Sequence, residues 1–125
     1  MKRNAFAKKE RLKKYDQIKE IFRRGIPFKG KFLKAYFLER EKEFSGNRVA
    51  FLVGKHLYNK KAVLRNQYRR ILREAYRNTK HSLDGSFDIV LTAGSISKNT
   101  TLEAIKGDLE NVFKRCNKKY NKILS

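Results

Sequence analysis

Acidic residues are scarce in this chain: 12 Asp and Glu stand against 32 Lys and Arg in 125 residues, a formal net charge of +20. Self-repulsion on that scale disfavours the isolated compact state, whereas neutralising phosphates releases counterions and drives association, so a polyanion is the expected partner. Long apolar runs are missing too. The longest clean one, Val49 to Val53, is far short of the roughly 20 residues a spanning helix needs, and no apolar stretch follows the basic N-terminus as a signal peptide would require. The single cysteine, Cys116, excludes an internal disulfide and fits a reducing compartment. Cytoplasmic nucleic acid is therefore the expected partner, with no membrane.

Catalytic groups are equally sparse. Two histidines, one cysteine and 12 scattered carboxylates show no metal-ligand spacing and no nucleophile elbow, and the seven glycines form no phosphate-cradling loop. A ribonuclease built on His56 and His81 would need only a general acid and a general base, but both fall in loops and nothing in the sequence brings them together. No catalytic residue and no metal ligand is assigned to the protein, and the chain reads as a binder.

What is present is enough for one packed domain: 40% hydrophobic residues, with nine Phe and six Tyr, exclude a wholly disordered basic tail. Residues 1–14, with Lys2, Arg3, Lys8, Lys9, Arg11, Lys13 and Lys14, read as a basic arm that orders on phosphate, leaving 15–125 as the domain. Tyr15 to Arg24 is predicted helical from the spacing of Tyr15, Ile18, Ile21 and Phe22; Gly25 and Pro27 end it. Lys29 to Arg40 alternates as a strand, and Arg48 to Lys55 reads as a second, paired with the first in an antiparallel hairpin around Ser45-Gly46-Asn47. Phe28 to Lys31 is a candidate for a further short strand. After a loop at His81 to Ser86, Phe87 to Ala93 reads as a strand buried on both faces. Thr100 to Tyr120 is a long helix, with Thr100 and Glu103 at capping-box spacing and a core face of Leu102, Ile105, Leu109, Val112, Phe113, Cys116 and Tyr120. The fold class is α+β, a four-stranded mixed sheet with helices against it.

The most informative stretch is Lys60 to Arg77. At about 100° per residue, Arg65, Asn66, Arg69, Arg70, Arg73 and Arg77 fall in one arc of roughly 140°. Leu64, Tyr68, Ile71, Leu72 and Ala75 fall in another. A solvated charged face would give such a helix, but a face kept merely soluble mixes Glu with Lys in i,i+4 pairs, and here no carboxylate interrupts the arc. Glu74 lies outside it. Guanidinium groups arrayed without carboxylates suit an anionic partner.

The run from Ala62 to Arg77 resembles the signature helix of the bacterial ribonuclease P protein component, written around an Arg-Asn-Arg core, Lys/Arg-Arg and a later Arg-Glu-Ala-aromatic. The resemblance extends to Arg11-Leu12-Lys13-Lys14, Phe22 with Gly25, the Phe32 to Leu38 strand, Arg48-Val49 and Asp88-Ile89-Val90. It implies an α/β sandwich with a left-handed β-α-β crossover, an exception to the usual hand. It also implies an accessory subunit that binds a catalytic RNA and the 5′ leader of precursor tRNA, with no protein partner required. The RNA and the Mg²⁺ it holds then cleave to leave the mature 5′ end, and the protein alone binds no cofactor. By position, the resemblance assigns RNA contacts to Lys55, Lys61, Arg65, Asn66, Arg69, Arg70, Arg73 and Arg77, and a leader cleft to Ile18, Phe22 and Tyr36, where core packing is the alternative for Ile18 and Phe22. The sequence departs from the family pattern at Gln67, at Ile18 where an aromatic is common, and in a longer connector before the helix that lacks a glycine. A general basic RNA-binding or ribosomal protein, and a stand-alone nuclease, are the competing readings.

Overall fold

The computed structural model describes residues 10–12, 14–41, 46–53, 62–93, 96 and 99–124. The elements are α1 (Tyr15–Arg24), β1 (Ile26–Lys29), β2 (Leu33–Glu39), β3 (Arg48–Leu52), α2 (Ala62–Thr79), a 3₁₀ turn at Lys80–Ser82, β4 (Phe87–Ala93) and α3 (Leu102–Leu124). The strands form one mixed sheet in the order β1-β2-β4-β3. β1 and β4 run antiparallel to β2, while β3 runs parallel to β4.

This order corrects the expected hairpin. The strand at Arg48 does not pair with the one at Leu33, because β4 lies between them. Ile89, Val90 and Leu91 are all buried, and a strand apolar on both faces has to occupy the interior of a sheet covered on both sides. β3 is reached by the α2 crossover and takes the edge. The hairpin is instead β1 with β2, and the short strand expected at Phe28 to Lys31 runs from Ile26 to Lys29. Pro27 is tolerated there because β1 is an edge strand.

The sheet divides two cores. On one side, Leu33, Ala35, Phe37, Val49, Phe51, Ile89 and Leu91 meet Tyr68, Leu72, Ala75 and Tyr76 of α2 and Ile105, Leu109, Val112, Phe113 and Cys116 of α3. Burial there pushes the Cys116 thiol up to about 12, so it stays protonated and inert. On the other side a smaller cluster of Leu12, Ile21, Ala50 and Val90 is flanked by Ile18, Tyr36, Leu38 and Leu52. Leu12 thus belongs to the packed domain although it lies within the expected arm: it is 5% exposed and its N–H donates to the Val49 carbonyl at 3.0 Å. Glu10 is also anchored, to Lys80 Nζ at 2.9 Å.

Local chemistry sets the ends of the elements. Gly25, beyond α1, has an ordinary φ of −71°; glycine is required because a Cβ would collide with the Ile21 carbonyl and crowd that of Phe37. Gly46 and Gly85, in the turns before β3 and β4, have φ of 86° and 85°, where side chains are strained. α3 is capped one residue later than the spacing suggests, since Thr101 Oγ1 accepts the Ala104 N–H at 3.1 Å. Asp108 of α3 accepts the N–H groups of Lys31, Phe32 and Leu33 at 2.7, 2.9 and 3.2 Å, pinning the β1-β2 turn to the helix. Gly30 leaves room for that carboxylate. Asp108→Ala is expected to cost about 2 kcal/mol in urea unfolding, because it leaves these amides without their acceptor; Asp108→Asn, which keeps one acceptor oxygen, should recover part of the loss.

Candidate nucleic-acid interface

α2 is seated by its apolar side: Tyr68 is 4% exposed, and Leu72, Ala75 and Tyr76 are fully buried. Thr79 is buried as well, and its hydroxyl donates to the Ala75 carbonyl at 2.7 Å. The opposite side carries Asn66 and Arg70 exposed, with Arg65, Arg69, Arg73 and Arg77 partly exposed. The projected arc is therefore a real surface, and Gln67 is exposed beside it. Lys55, Lys61 and His56 lie outside the described residues, and His81 is exposed in the 3₁₀ turn.

The arginines are not equivalent. Arg77 is paired with Glu74 at 2.9 Å, which raises the Arg77 pKa and lowers that of Glu74 through the shared hydrogen bonds. A carboxylate placed outside the arc by projection thus reaches one turn along the helix, and the expectation of an uninterrupted guanidinium stripe is corrected at its C-terminal end. Arg69 Nη1 donates to Asn66 Oδ1 at 2.8 Å. Arg73 lies over the Phe51 ring, its guanidinium carbon 6.0 Å from the centroid. Among the described residues no carboxylate pairs with Arg65, Arg69, Arg70 or Arg73, and Arg65 Nη1 and Arg73 Nε are buried without a hydrogen-bond partner. Buried donors in folded proteins are nearly always satisfied, so these nitrogens mark where an external acceptor would fit.

The α1 side of the sheet offers a different surface. Ile21 is sealed into the smaller core at 1% exposure, but its neighbour Phe22 is 41% exposed. The Phe22 ring stands edge-on to Tyr36 with centroids 4.8 Å apart, and Lys34 Nζ lies 5.1 Å from the Tyr36 centroid. Two aromatic rings and an ammonium group form a platform that unpaired bases can stack on without sequence readout. Ile18 is separated from this pair: it packs against the smaller core and lines a cavity of about 250 Å³ with Arg69 and Arg73. Core packing therefore accounts for much of Ile18 but not for Phe22.

Two features were not assigned from sequence. Arg48 and Asp88 are register partners on β3 and β4, joined by two hydrogen bonds of 2.7 Å, with Arg40 3.7 Å from the same carboxylate. Opposite charges opening two strands were the available signal, but pairing them required the sheet order. Phe51, read only as a strand residue, supports Arg73. Among the described residues no group of three or more His, Cys, Asp or Glu is placed to hold a metal ion, and no helix is long and apolar enough to cross a membrane.

A family model described as Ribonuclease P matches residues 6–117. The ribonuclease P protein component of Clostridioides difficile is 33% identical over 111 residues, covering 88% of this chain and 94% of the relative. That of Bacillus cereus is 32% identical over 108 residues, covering 86% and 91%. Among solved structures, the Staphylococcus aureus RNase P protein superposes with a TM-score of 0.71 at 29% identity over 86% of this chain and 94% of its own. The Thermotoga maritima RNase P protein gives 0.70 at 25% identity over 85% and 96%.

Stability measurements separate packing from surface in α1. Ile21→Ala is expected to cost about 2–4 kcal/mol in chemical unfolding, as buried aliphatic truncations do, whereas Phe22→Ala should cost under about 1 kcal/mol because its ring is substantially exposed. Equal losses would return Phe22 to the core.

Proposed function

This chain belongs to the ribonuclease P protein family, and we propose that it divides RNA between two surfaces, the outer face of α2 for the RNA subunit and the α1 side of the sheet for the 5′ leader of precursor tRNA. It is the protein component of the endoribonuclease that works with an RNA subunit in tRNA 5′ processing. The observation that carries the proposal is the set of α2 arginines left without carboxylate partners on a helix whose other side is buried.

On the α2 face, Arg65, Arg69, Arg70 and Arg73, with Asn66, donate to phosphate and sugar oxygens of the RNA subunit. Guanidinium groups suit this role because each presents several donors in a plane that matches two phosphate oxygens. Arg77 contributes less directly, since it must exchange or share Glu74. Lys55 and Lys61 extend the same surface on the strength of their positions in sequence. On the α1 face, Phe22 and Tyr36 stack leader bases while Lys34 sits beside them, and Ile18 supplies an apolar wall. Binding through ring faces and phosphates is tolerant of sequence, as a subunit serving many precursors requires.

The protein's contribution to cleavage is positioning and charge screening. The described side chains do not form a Mg²⁺ site, lacking a carboxylate cluster with the oxygen donors that ion demands. The Mg²⁺ used by the complex is accordingly assigned to the RNA, as is the cleavage step. A basic arm preceding the domain adds phosphate contacts, the complex requires no further protein, and it acts in the cytoplasm.

The test is reconstitution with the cognate RNA subunit on a precursor tRNA at low Mg²⁺. The protein is expected to restore cleavage at the mature 5′ end while being inert without the RNA. Failure to restore processing contradicts the proposal, and cleavage by the protein alone would favour a stand-alone nuclease.

A further inference from the structure

The cavity of about 250 Å³ that Ile18 lines wraps around the β3 edge of the sheet. Ile18 and Leu52 belong to its α1 side, while Phe51, Arg69 and Arg73 belong to its α2 side, and Arg11 lies along β3 through its bridge to Val49. No carboxylate is among its lining residues. Three arginines thus converge on a space that connects the two surfaces.

Arg73 is the best prepared of them. Its guanidinium rests over Phe51, and Phe51 is itself held edge-on against the buried ring of Tyr76, with centroids 5.9 Å apart. Its Nε is buried and has no hydrogen-bond partner among the described residues. The Nε and one Nη form the side-on edge by which arginine grips two oxygens of one phosphate. An aromatic platform fixes the plane of that edge, so little freedom remains to be lost on binding. Arg69 spends one Nη1 donor on Asn66 and keeps its others.

We propose that this cavity is a phosphate subsite for the substrate strand, in which Arg73, with Arg69 and Arg11 beside it, holds one backbone phosphate of the single-stranded 5′ leader as it passes from the α1 side around the β3 edge. Phe51 is a positioning residue that acts through Arg73. The inference rests on the reading of the α1 side as the leader's surface. The leader is favoured over the RNA subunit because the cavity is continuous with Ile18 and Leu52, whereas the exposed Asn66 and Arg70 do not line it. Its volume also suits one phosphate group and excludes a duplex.

The test replaces leader phosphates one at a time by uncharged methylphosphonates and measures binding to the reconstituted holoenzyme, with wild-type protein and with Arg73→Lys. The lysine variant keeps the charge and removes the planar edge, and an unchanged circular dichroism spectrum establishes that it folds. In the wild type one leader linkage should stand out, its neutralisation weakening binding about tenfold, as expected for losing a charge-assisted hydrogen bond. In Arg73→Lys that linkage should no longer stand out, while affinity for mature tRNA and for the RNA subunit is unchanged. A uniform response at every linkage overturns the subsite, as does an Arg73→Lys loss that falls equally on mature tRNA or on RNA-subunit assembly. A wild-type holoenzyme that binds precursor no better than mature tRNA overturns the leader reading itself and the subsite with it.

Discussion

Guanidinium groups that repel one another stay at fixed spacing here because the other side of α2 is sealed into the core. Tyr68, Leu72, Ala75 and Tyr76 are buried against β3, β4 and α3. That burial stabilises the helix by an amount set by apolar area, and it is indifferent to the charge on the far side. The protein can therefore present an uncompensated cationic surface before its partner arrives, and the partner need not supply the energy of ordering it. Where the helix does compensate a charge, at Arg77 with Glu74, the pair lies near its C-terminal end.

The sheet turns one helix face into a two-sided device. β4 is central and buried on both faces, so each side of the sheet carries its own core, one under α2 and α3 and one under α1. The smaller core is filled by Leu12, Ile21, Ala50 and Val90 and leaves Phe22 and Tyr36 at its rim. At the start of β3 and β4, Arg48 and Asp88 lock the strand register. Asp88 is largely shielded from solvent, and its hydrogen bonds raise the Arg48 pKa. The β3 edge is where the two sides meet, and the arginines there lie within reach of both.

Much of this was legible in the sequence because it depends on period. The apolar spacings of α1, α2 and α3 predicted helices close to those observed, and the run Ile89 to Leu91 correctly indicated a strand covered on both faces. Strand pairing was less legible. Adjacent strands separated by a turn signal suggest a hairpin, and only the need to bury β4 places it between β2 and β3. Side-chain reach was also hidden: a helical projection fixes the direction of Glu74 but not its length, so its pairing with Arg77 was missed. Phe51 was visible only as a strand residue, because its support of Arg73 joins an edge strand to a helix across the crossover. The Thr101 cap was displaced by one position because Thr100 and Thr101 are adjacent and both fit the cap chemistry.

The central claim is that the two faces hold different RNAs. It is tested most directly by placing a photo-crosslinking amino acid in place of Phe22 in one preparation and of Arg70 in another, then irradiating the reconstituted complex with precursor tRNA. The account predicts that the probe at position 22 tags the 5′ leader and the probe at position 70 tags the RNA subunit. Tagging of the same RNA from both positions, or an exchange of the two targets, would contradict it.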